Sequence, residues 1–316
     1  MSLKLELYLK KYKKYPQNIT YEAYQNKYGE TIAMIILRYT DLDILENFQH
    51  DSNIKDCFGY TIDMIYMEKR KNIPPKWMIR DDPEYQNFYG YTSLMYFIKY
   101  VNGEIPSYML YKPYKQIYYD EDFMIDLDLK IDEYPLMEKD LKDIGNTEAM
   151  LWIKYRQTEC PKELLHDPNI QNGEGQTLAM IWSIYISSTI PENLQHDPSI
   201  KDKFGDTITT YEIVFNKKIP DQWTKSDNIY KSWRNLTYAA QFIIYLQQSP
   251  PDSLQHDPNI DCNGHCVAYH YLQMLKNKKN NTLMGKSVNI IPEWMKPDNL
   301  DEIKELYEEV IGGEWI

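Results

Sequence analysis

The sequence predicts an all-α solenoid, in which about nine helix-turn-helix units stack side by side. Three observations lead to this fold class. A Gly-x-Thr signature recurs at intervals of 30 or 31 residues, apart from one interval of 55 that hides a further unit. Apolar residues follow each signature at helical spacing, and a proline ends each apolar run. A period of about 20 to 50 residues is typical of stacked repeats, none of which can bury its apolar face alone.

The Gly-x-Thr signature predicts the turn that opens each unit. Glycine supplies the positive φ of a tight turn, and the threonine two residues later can accept a backbone N–H as a helix N-cap. The signature occurs at Gly29/Thr31, Gly59/Thr61, Gly90/Thr92, Gly145/Thr147, Gly175/Thr177 and Gly205/Thr207, with weaker copies at Asn235/Thr237 and Gly264/Cys266.

The first helix of each unit follows this threonine. Residues 171–200 show the unit most clearly, because apolar side chains recur there at intervals of three and four residues. This spacing predicts one buried helix face. The face comprises Leu178, Met180, Ile181, Ile184 and Tyr185.

A proline predicts the break between the first helix and a shorter second one. Pro191 disfavours helical backbone at the preceding residue but fits the first turn of a new helix. The same position is assigned to Pro74, Pro106, Pro161, Pro220 and Pro251. Leu194, shortly after the proline, is predicted to be buried, with equivalents at Trp77, Tyr108, Leu164, Trp223 and Leu254.

The turns at 56–61 and 202–207 carry Asp-x-x-Gly-x-Thr and resemble the ankyrin repeat, a turn followed by two helices. The resemblance covers roughly residues 15–297. It is loose where the family has Thr-Pro-Leu-His, because this chain has Thr-Ile-Ala-Met or Thr-Leu-Ala-Met, and the period is about three residues short. The resemblance implies a non-catalytic scaffold that binds another protein through its concave or fingertip surface. Another solenoid of helix pairs is the alternative.

The repeats predict a single domain over residues 1–316, capped at both ends by amphipathic segments. Its parts are an N-terminal cap at 1–24, repeats 1–3 at 25–115, a degenerate acidic repeat at 116–140, repeats 5–9 at 141–297 and a C-terminal cap at 298–316. The inward residues of the caps are predicted to be Leu3, Leu5, Leu7, Tyr8 and Leu9, and Leu300, Ile303, Leu306, Tyr307 and Val310.

Composition narrows the partner classes. A net charge of −12 argues against binding nucleic acid or an anionic membrane, since phosphate contacts need clustered Lys and Arg, and favours a protein partner with a basic segment. Four cysteines predict a reducing, intracellular compartment, cytoplasmic or nuclear, without a disulfide framework. The sequence shows neither a signal peptide nor a transmembrane run, and we expect no cofactor.

Two groups of residues are candidates for partner binding. The first is a set of aromatic residues beside the turn glycines: Phe58, Tyr60, Phe88, Tyr89 and Tyr91. These rings either form an exposed anchor patch or pack on one another and stiffen the turns. The second group lies in the acidic stretch from residue 120 to 143, interpreted as a solvated face, a recognition patch for a basic segment, or a metal site. Its candidate residues are Asp126, Asp128 and Asp132.

A metal-dependent enzyme or regulator is the alternative function, and two motifs could support it. His-Asp occurs at His50-Asp51, His166-Asp167, His196-Asp197 and His256-Asp257. All four pairs share one phase of the repeat, which favours a structural role, with His capping helix carbonyls or bonding to the next unit and Asp starting the return turn. The other motif combines possible zinc ligands, although its spacing matches no zinc-finger pattern. It comprises Cys262, His265, Cys266 and His270.

Overall fold

A computed structural model describes residues 7–9, 11–15, 25–111, 114–117, 143–186, 188–217, 235–281 and 291–311. Its contacts divide the chain into two compact units, unit 1 at Met1–His166 and unit 2 at Asp167–Ile316. Each unit is described below on its own. Most of the predicted acidic repeat, together with Leu3, Leu5, Pro220 and Trp223, lies outside the described residues.

Both units are helical. Unit 1 contains α1 (Ile32–Tyr39), α2 (Ile62–Arg70), α3 (Ser93–Tyr100) and α4 (Glu148–Arg156). Unit 2 contains α5 (Leu178–Tyr185), α6 (Ile208–Tyr211, continued by a π-helical turn at Glu212–Asn216), α7 (Tyr238–Leu246), α8 (Val267–Asn281) and α9 (Asp301–Ile311). Within the described ranges the chain forms no strand beyond isolated bridges such as Lys55 with Thr61. The all-α prediction is confirmed, whereas the nine-unit ankyrin-like stack stays a prediction.

The turn that opens each repeat has the predicted backbone. The six signature glycines have φ between 75° and 81°. In five helices the N-cap threonine side chain accepts the N–H of the residue three positions on, which satisfies one of the free donors at the helix start. These N-caps are Thr31, Thr92, Thr147, Thr177 and Thr237.

The second helix of the repeat is a single 3₁₀ turn. These turns are Glu46–Phe48, Lys76–Met78, Ser107–Met109 and Lys162–Leu164 in unit 1, and Glu192–Leu194, Asp252–Leu254 and Glu293–Met295 in unit 2. The last residue of each turn is buried: Phe48, Met78, Met109, Leu164, Leu194, Leu254 and Met295.

The prediction that Trp77 and Tyr108 are buried in this position is therefore wrong. Pro75, not Pro74, caps the turn of Lys76–Met78, so the third residue after the cap is Met78. In the next turn the third residue is Met109, and Tyr108 is 40% exposed. Trp77 is half-buried.

The first helices are buried on more than the single predicted face. In α5 the six residues from Leu178 to Ser183 are buried, while Ile184 and Tyr185 are only partly so. An internal helix of a unit packs against both of its sequence neighbours, as α2 does against α1 and α3. Two opposite sides of such a helix are therefore core.

The caps follow the prediction in part. In α9, Ile303, Leu306 and Val310 are buried and join the core of unit 2, with Leu300 and Tyr307 packed against that core. Near the N-terminus Leu9 is buried and Tyr8 half-buried, but Leu7 is 58% exposed, so its predicted inward position is wrong. All four cysteines are free thiols.

Candidate interaction surface

The aromatic residues beside the turn glycines of unit 1 lie inside the unit. Phe58, Tyr60, Tyr89 and Tyr91 are at most 7% exposed, and Phe88 is half-buried. The ring centroids of Phe58 and Tyr89 are 6.4 Å apart, and those of Tyr60 and Tyr89 are 6.0 Å apart. Rings from successive turns thus cover one another, so these four side chains form no exposed patch and the packing alternative fits the structure.

The acidic candidates Asp126, Asp128 and Asp132 lie outside the described residues. Asp143, at the end of the same stretch, is fully buried rather than part of a solvated face. Its carboxylate accepts bonds from Lys99 Nζ at 3.1 Å and Lys154 Nζ at 2.8 Å, and from the Tyr155 hydroxyl at 2.8 Å. Burial alone would raise the pKa of Asp143, but the two lysines and this hydroxyl outweigh it and lower the pKa.

The Cys/His cluster does not converge. His270 Nε2 lies 2.9 Å from the backbone oxygen of Cys262, and His265 stacks on Tyr269 with ring centroids 3.7 Å apart. Cys262 and Cys266 are buried. In the part of the chain that the structure describes, no three His, Cys, Asp or Glu side chains form a group that could hold a metal ion.

Three histidines of the His-Asp motif, His50, His166 and His256, bind the N-cap of their own repeats. In each, Nε2 lies close to the hydroxyl of the threonine 19 residues earlier: 2.8 Å for His50 and Thr31, 2.7 Å for His166 and Thr147, and 2.8 Å for His256 and Thr237. We call this contact the Thr–His lock. The predicted bond from His to helix carbonyls or to the next unit is not what these three residues make.

The geometry of the lock assigns the proton of the imidazole. In His50 and His256, Nδ1 lies 2.7 Å from the backbone oxygen of the following aspartate, an atom that can only accept. Nδ1 therefore carries the hydrogen. In the neutral ring Nε2 is then an acceptor, so the Thr31 hydroxyl donates its proton to Nε2 of His50, while its oxygen accepts the N–H of Met34. The lock is thus complete with a neutral ring.

The aspartate of the motif faces solvent. Asp51, Asp167, Asp197 and Asp257 are exposed. One carboxylate oxygen of each accepts the N–H of the residue two positions on, at 2.9 Å in all four turns. This Asx turn holds the side chain in one orientation.

Side chains join successive turns on this edge of unit 2. Asn169 Oδ1 accepts the backbone N–H of Asp197 at 3.0 Å, and Asn259 Oδ1 accepts that of Asp298 at 2.8 Å. We call Asp167, Asp197 and Asp257 the aspartate edge. The sequence showed the shared phase of these residues, but not that the histidine turns inward while the aspartate stays in water.

Two repeats of unit 1 carry another residue at the histidine position. Tyr111 places its hydroxyl 2.9 Å from Thr92 Oγ1. Arg80 does not bond Thr61, whose hydroxyl instead donates to the buried Asp63. A crevice of about 10 Å³ remains beside Asp63, Arg80 and Tyr108, with room for about one water molecule. Such a space is too small for a substrate.

Comparison with known proteins identified no family for this chain. The chain matches no protein-family model, and no curated protein is a significant match to it. Among the described helices, none combines the length and the apolar character needed to cross a bilayer.

Proposed function

We propose that this protein is a non-catalytic scaffold that binds a basic segment of another protein along the aspartate edge of unit 2. The observation that carries the proposal is the repetition of one exposed carboxylate, held by an Asx turn, at the same position of three described repeats of unit 2. The net charge of −12 favours a partner of positive charge.

The orientation of these carboxylates supports recognition rather than general solubility. Each aspartate uses one oxygen to hold its turn, so a partner need not order a free side chain when it binds. Bonds such as that from Asp197 to Asn169 fix one turn against the next. The carboxylates therefore form a defined pattern.

The spacing of the edge indicates how a partner would match it. Packed helices lie about 8 to 10 Å apart, so Asp167 and Asp197 of successive repeats recur at about that interval. A peptide in the polyproline II conformation rises about 3.1 Å per residue with three residues per turn, which places every third side chain on the same face, about 9 Å further on. A segment with Lys or Arg at every third position fits best.

Histidines and cysteines that could serve catalysis are used for other contacts in the described ranges. The His50 and His256 rings hold N-caps, and the Cys262 thiol lies within 3.5 Å of Thr237 Oγ1 and of the Ile260 oxygen. These contacts support a scaffold over a metal-dependent enzyme.

Peptide binding tests the proposal. A peptide with lysine at every third position and one of the same composition with its lysines in a block are titrated against the protein, with fluorescence anisotropy as the readout. We expect the spaced peptide to bind more tightly. Asp167→Asn, Asp197→Asn and Asp257→Asn together should weaken it about tenfold, since exposed ion pairs contribute about 0.2 to 1 kcal/mol each. Asn retains the acceptor of the Asx turn.

A matched control separates the edge from net charge. Glu192→Gln, Asp301→Asn and Glu305→Gln remove three exposed charges elsewhere in unit 2. If this variant weakens binding as much as the edge variant, or if both peptides bind alike, the aspartate edge is not the recognition surface.

A further inference from the structure

The Thr–His lock fits a neutral imidazole and resists a charged one. Thr31 is the N-cap of α1, where unpaired backbone N–H groups give the helix end a partial positive charge. At this end, Nε2 of His50 lies 2.8 Å from Oγ1 of Thr31. A proton added at Nε2 would remove the acceptor to which the Thr31 hydroxyl donates, because Nε2 would then be a donor itself. It would also place a cation at the positive end of the helix.

Surroundings of the ring act in the same direction. Burial lowers the pKa of His50, His196 and His256, and this effect outweighs the opposing one of the adjacent aspartate, whose backbone oxygen and charge raise it. The rings of Trp77 and His50, and those of Trp294 and His256, are nearly perpendicular with centroids 6.0 Å and 5.7 Å apart, and neither tryptophan carries a charge.

The charged groups near each lock come from its own turn and from the neighbouring element. Beside His50, Lys76 flanks Trp77, and Arg80 Nη1 donates to the Asn53 backbone oxygen at 3.3 Å. Asp51 acts on His50 from its own turn, and Asp257 acts on His256. From the neighbouring element, Asp298 bonds Asn259 in the turn that carries Asp257, while Glu293 and Lys296, which flank Trp294, pair with each other at 2.6 Å. These carboxylates are too exposed to compensate for a cation at the half-buried Nε2.

We propose that the Thr–His locks are an acid-sensitive switch built into the repeats. Above the ordinary imidazole pKa of about 6.5 the neutral ring holds the N-cap and its turn together. As the pH falls below this value, the histidine of an opened turn takes up a proton, whereas the histidine of a closed lock does not. Closure therefore becomes progressively less favourable until the pH has fallen below the lowered pKa of the histidine in the closed lock. Acid thus opens the turns that carry His50 and His256, and leaves repeats without the histidine closed.

Amide hydrogen exchange tests the switch in the wild-type protein. The reporters are the N–H groups of Met34 and Ala240, which bond the locked threonines Thr31 and Thr237. Met95 is a matched internal control, because Thr92 caps it identically but contacts Tyr111 instead of histidine. After correction for intrinsic rates, protection of Met34 and Ala240 should fall between pH 7.5 and 5, about tenfold for each unit by which the histidine pKa is lowered. Protection of Met95 should not fall, because the Glu148 carboxyl that Tyr111 also bonds has a raised pKa and its protonation favours the closed turn.

Two variants and one spectrum complete the test. His50→Gln and His256→Gln cannot titrate, so each should remove the pH dependence at its own reporter and leave the other unchanged. Nitrogen-15 spectra of the wild-type rings at pH 7.5 should show the hydrogen on Nδ1. Equal loss of protection at Met95, unchanged protection at Met34 and Ala240, or a hydrogen on Nε2 would each overturn the proposal.

Discussion

Units 1 and 2 use the same repeat but stabilise its interior differently. Seven residues after the N-cap position, three of the four helices of unit 1 place Arg38, Lys99 and Lys154, each paired with a buried carboxylate, and α2 places Glu68. At the same position three helices of unit 2 have the aliphatic side chains of Ile184, Val214 and Ile244, and α8 has Gln273. The helix, the turn and the 3₁₀ segment are alike in both.

The turn carboxylates show the same contrast. Asp56 and Asp202 both accept two backbone N–H groups of their own turn. Asp56 is then bonded by the Arg38 guanidinium at 2.6 Å, whereas Asp202 is bonded by the neutral Tyr211 hydroxyl at 2.7 Å. The repeat therefore specifies where a buried carboxylate lies, but not how its charge is compensated.

Removal of the cation from unit 1 should have the largest effect. Arg38→Met leaves Glu30 and Asp56 buried without their partner, and breaking a buried ion pair in this way costs about 3 to 5 kcal/mol. Chemical denaturation measures the loss. Ile184→Met is the matched substitution in unit 2 and should cost much less. Similar losses from the two variants would show that buried charge is not what distinguishes the units.

The turn glycines differ in what a side chain would displace. A Cβ at Gly175 would lie 2.7 Å from the Lys203 backbone nitrogen, whereas one at Gly59 would lie 2.8 Å from the movable Tyr85 hydroxyl and 3.1 Å from the Asn87 Cα, both at positive φ. We expect Gly175→Ala to cost about 2 to 3 kcal/mol, from backbone strain and displacement of the next turn, and Gly59→Ala to cost less.

Gly264→Ala provides the control for the glycine prediction. Its φ is +88°, but a Cβ there meets nothing within 4 Å, so only strain of about 1 to 2 kcal/mol is expected. Thermal or chemical unfolding of the three variants ranks them. A loss for Gly264→Ala as large as that for Gly175→Ala would show that contact with the next turn contributes nothing.

The smallest effect is expected where unit 2 is aliphatic. Ile184→Val removes one methylene from a half-buried position, so it should cost about 1 kcal/mol or less. Denaturation midpoints of this variant and the wild type measure the difference. A loss near that of Arg38→Met would mean that this position is strained in both units, whatever residue occupies it.

Local chemistry accounts for what the sequence predicts correctly. Glycine at positive φ, threonine at the N-cap and proline before a new turn are dictated by the residue's own backbone, so Gly175, Thr177 and Pro191 could be placed without neighbours. The position of the buried residue after Pro74-Pro75 could not be placed in this way, since either proline can start a turn and only packing selects Pro75.

Contacts between repeats account for what the sequence does not show. Tyr60 and Tyr89 are buried because each turn brings a ring to the next one, whereas Phe204, beside Glu174 of the preceding turn, is 50% exposed. Aromatic residues in consecutive turns were the available signal for packing. The Thr–His lock joins residues 19 positions apart, a spacing that no local rule for turns or helices contains.

The single 3₁₀ turn that completes the repeats in the described part of the chain has a consequence for how the chain folds during synthesis. In most repeats it leaves one α-helix of only eight or nine residues, and isolated helices shorter than about 12 to 15 residues are marginal in water. A newly made repeat emerging from the ribosome therefore has little structure of its own until a second one can cover it. Early segments of the nascent chain stay extended and apolar for tens of residues, which makes them natural clients for chaperones that bind short hydrophobic stretches.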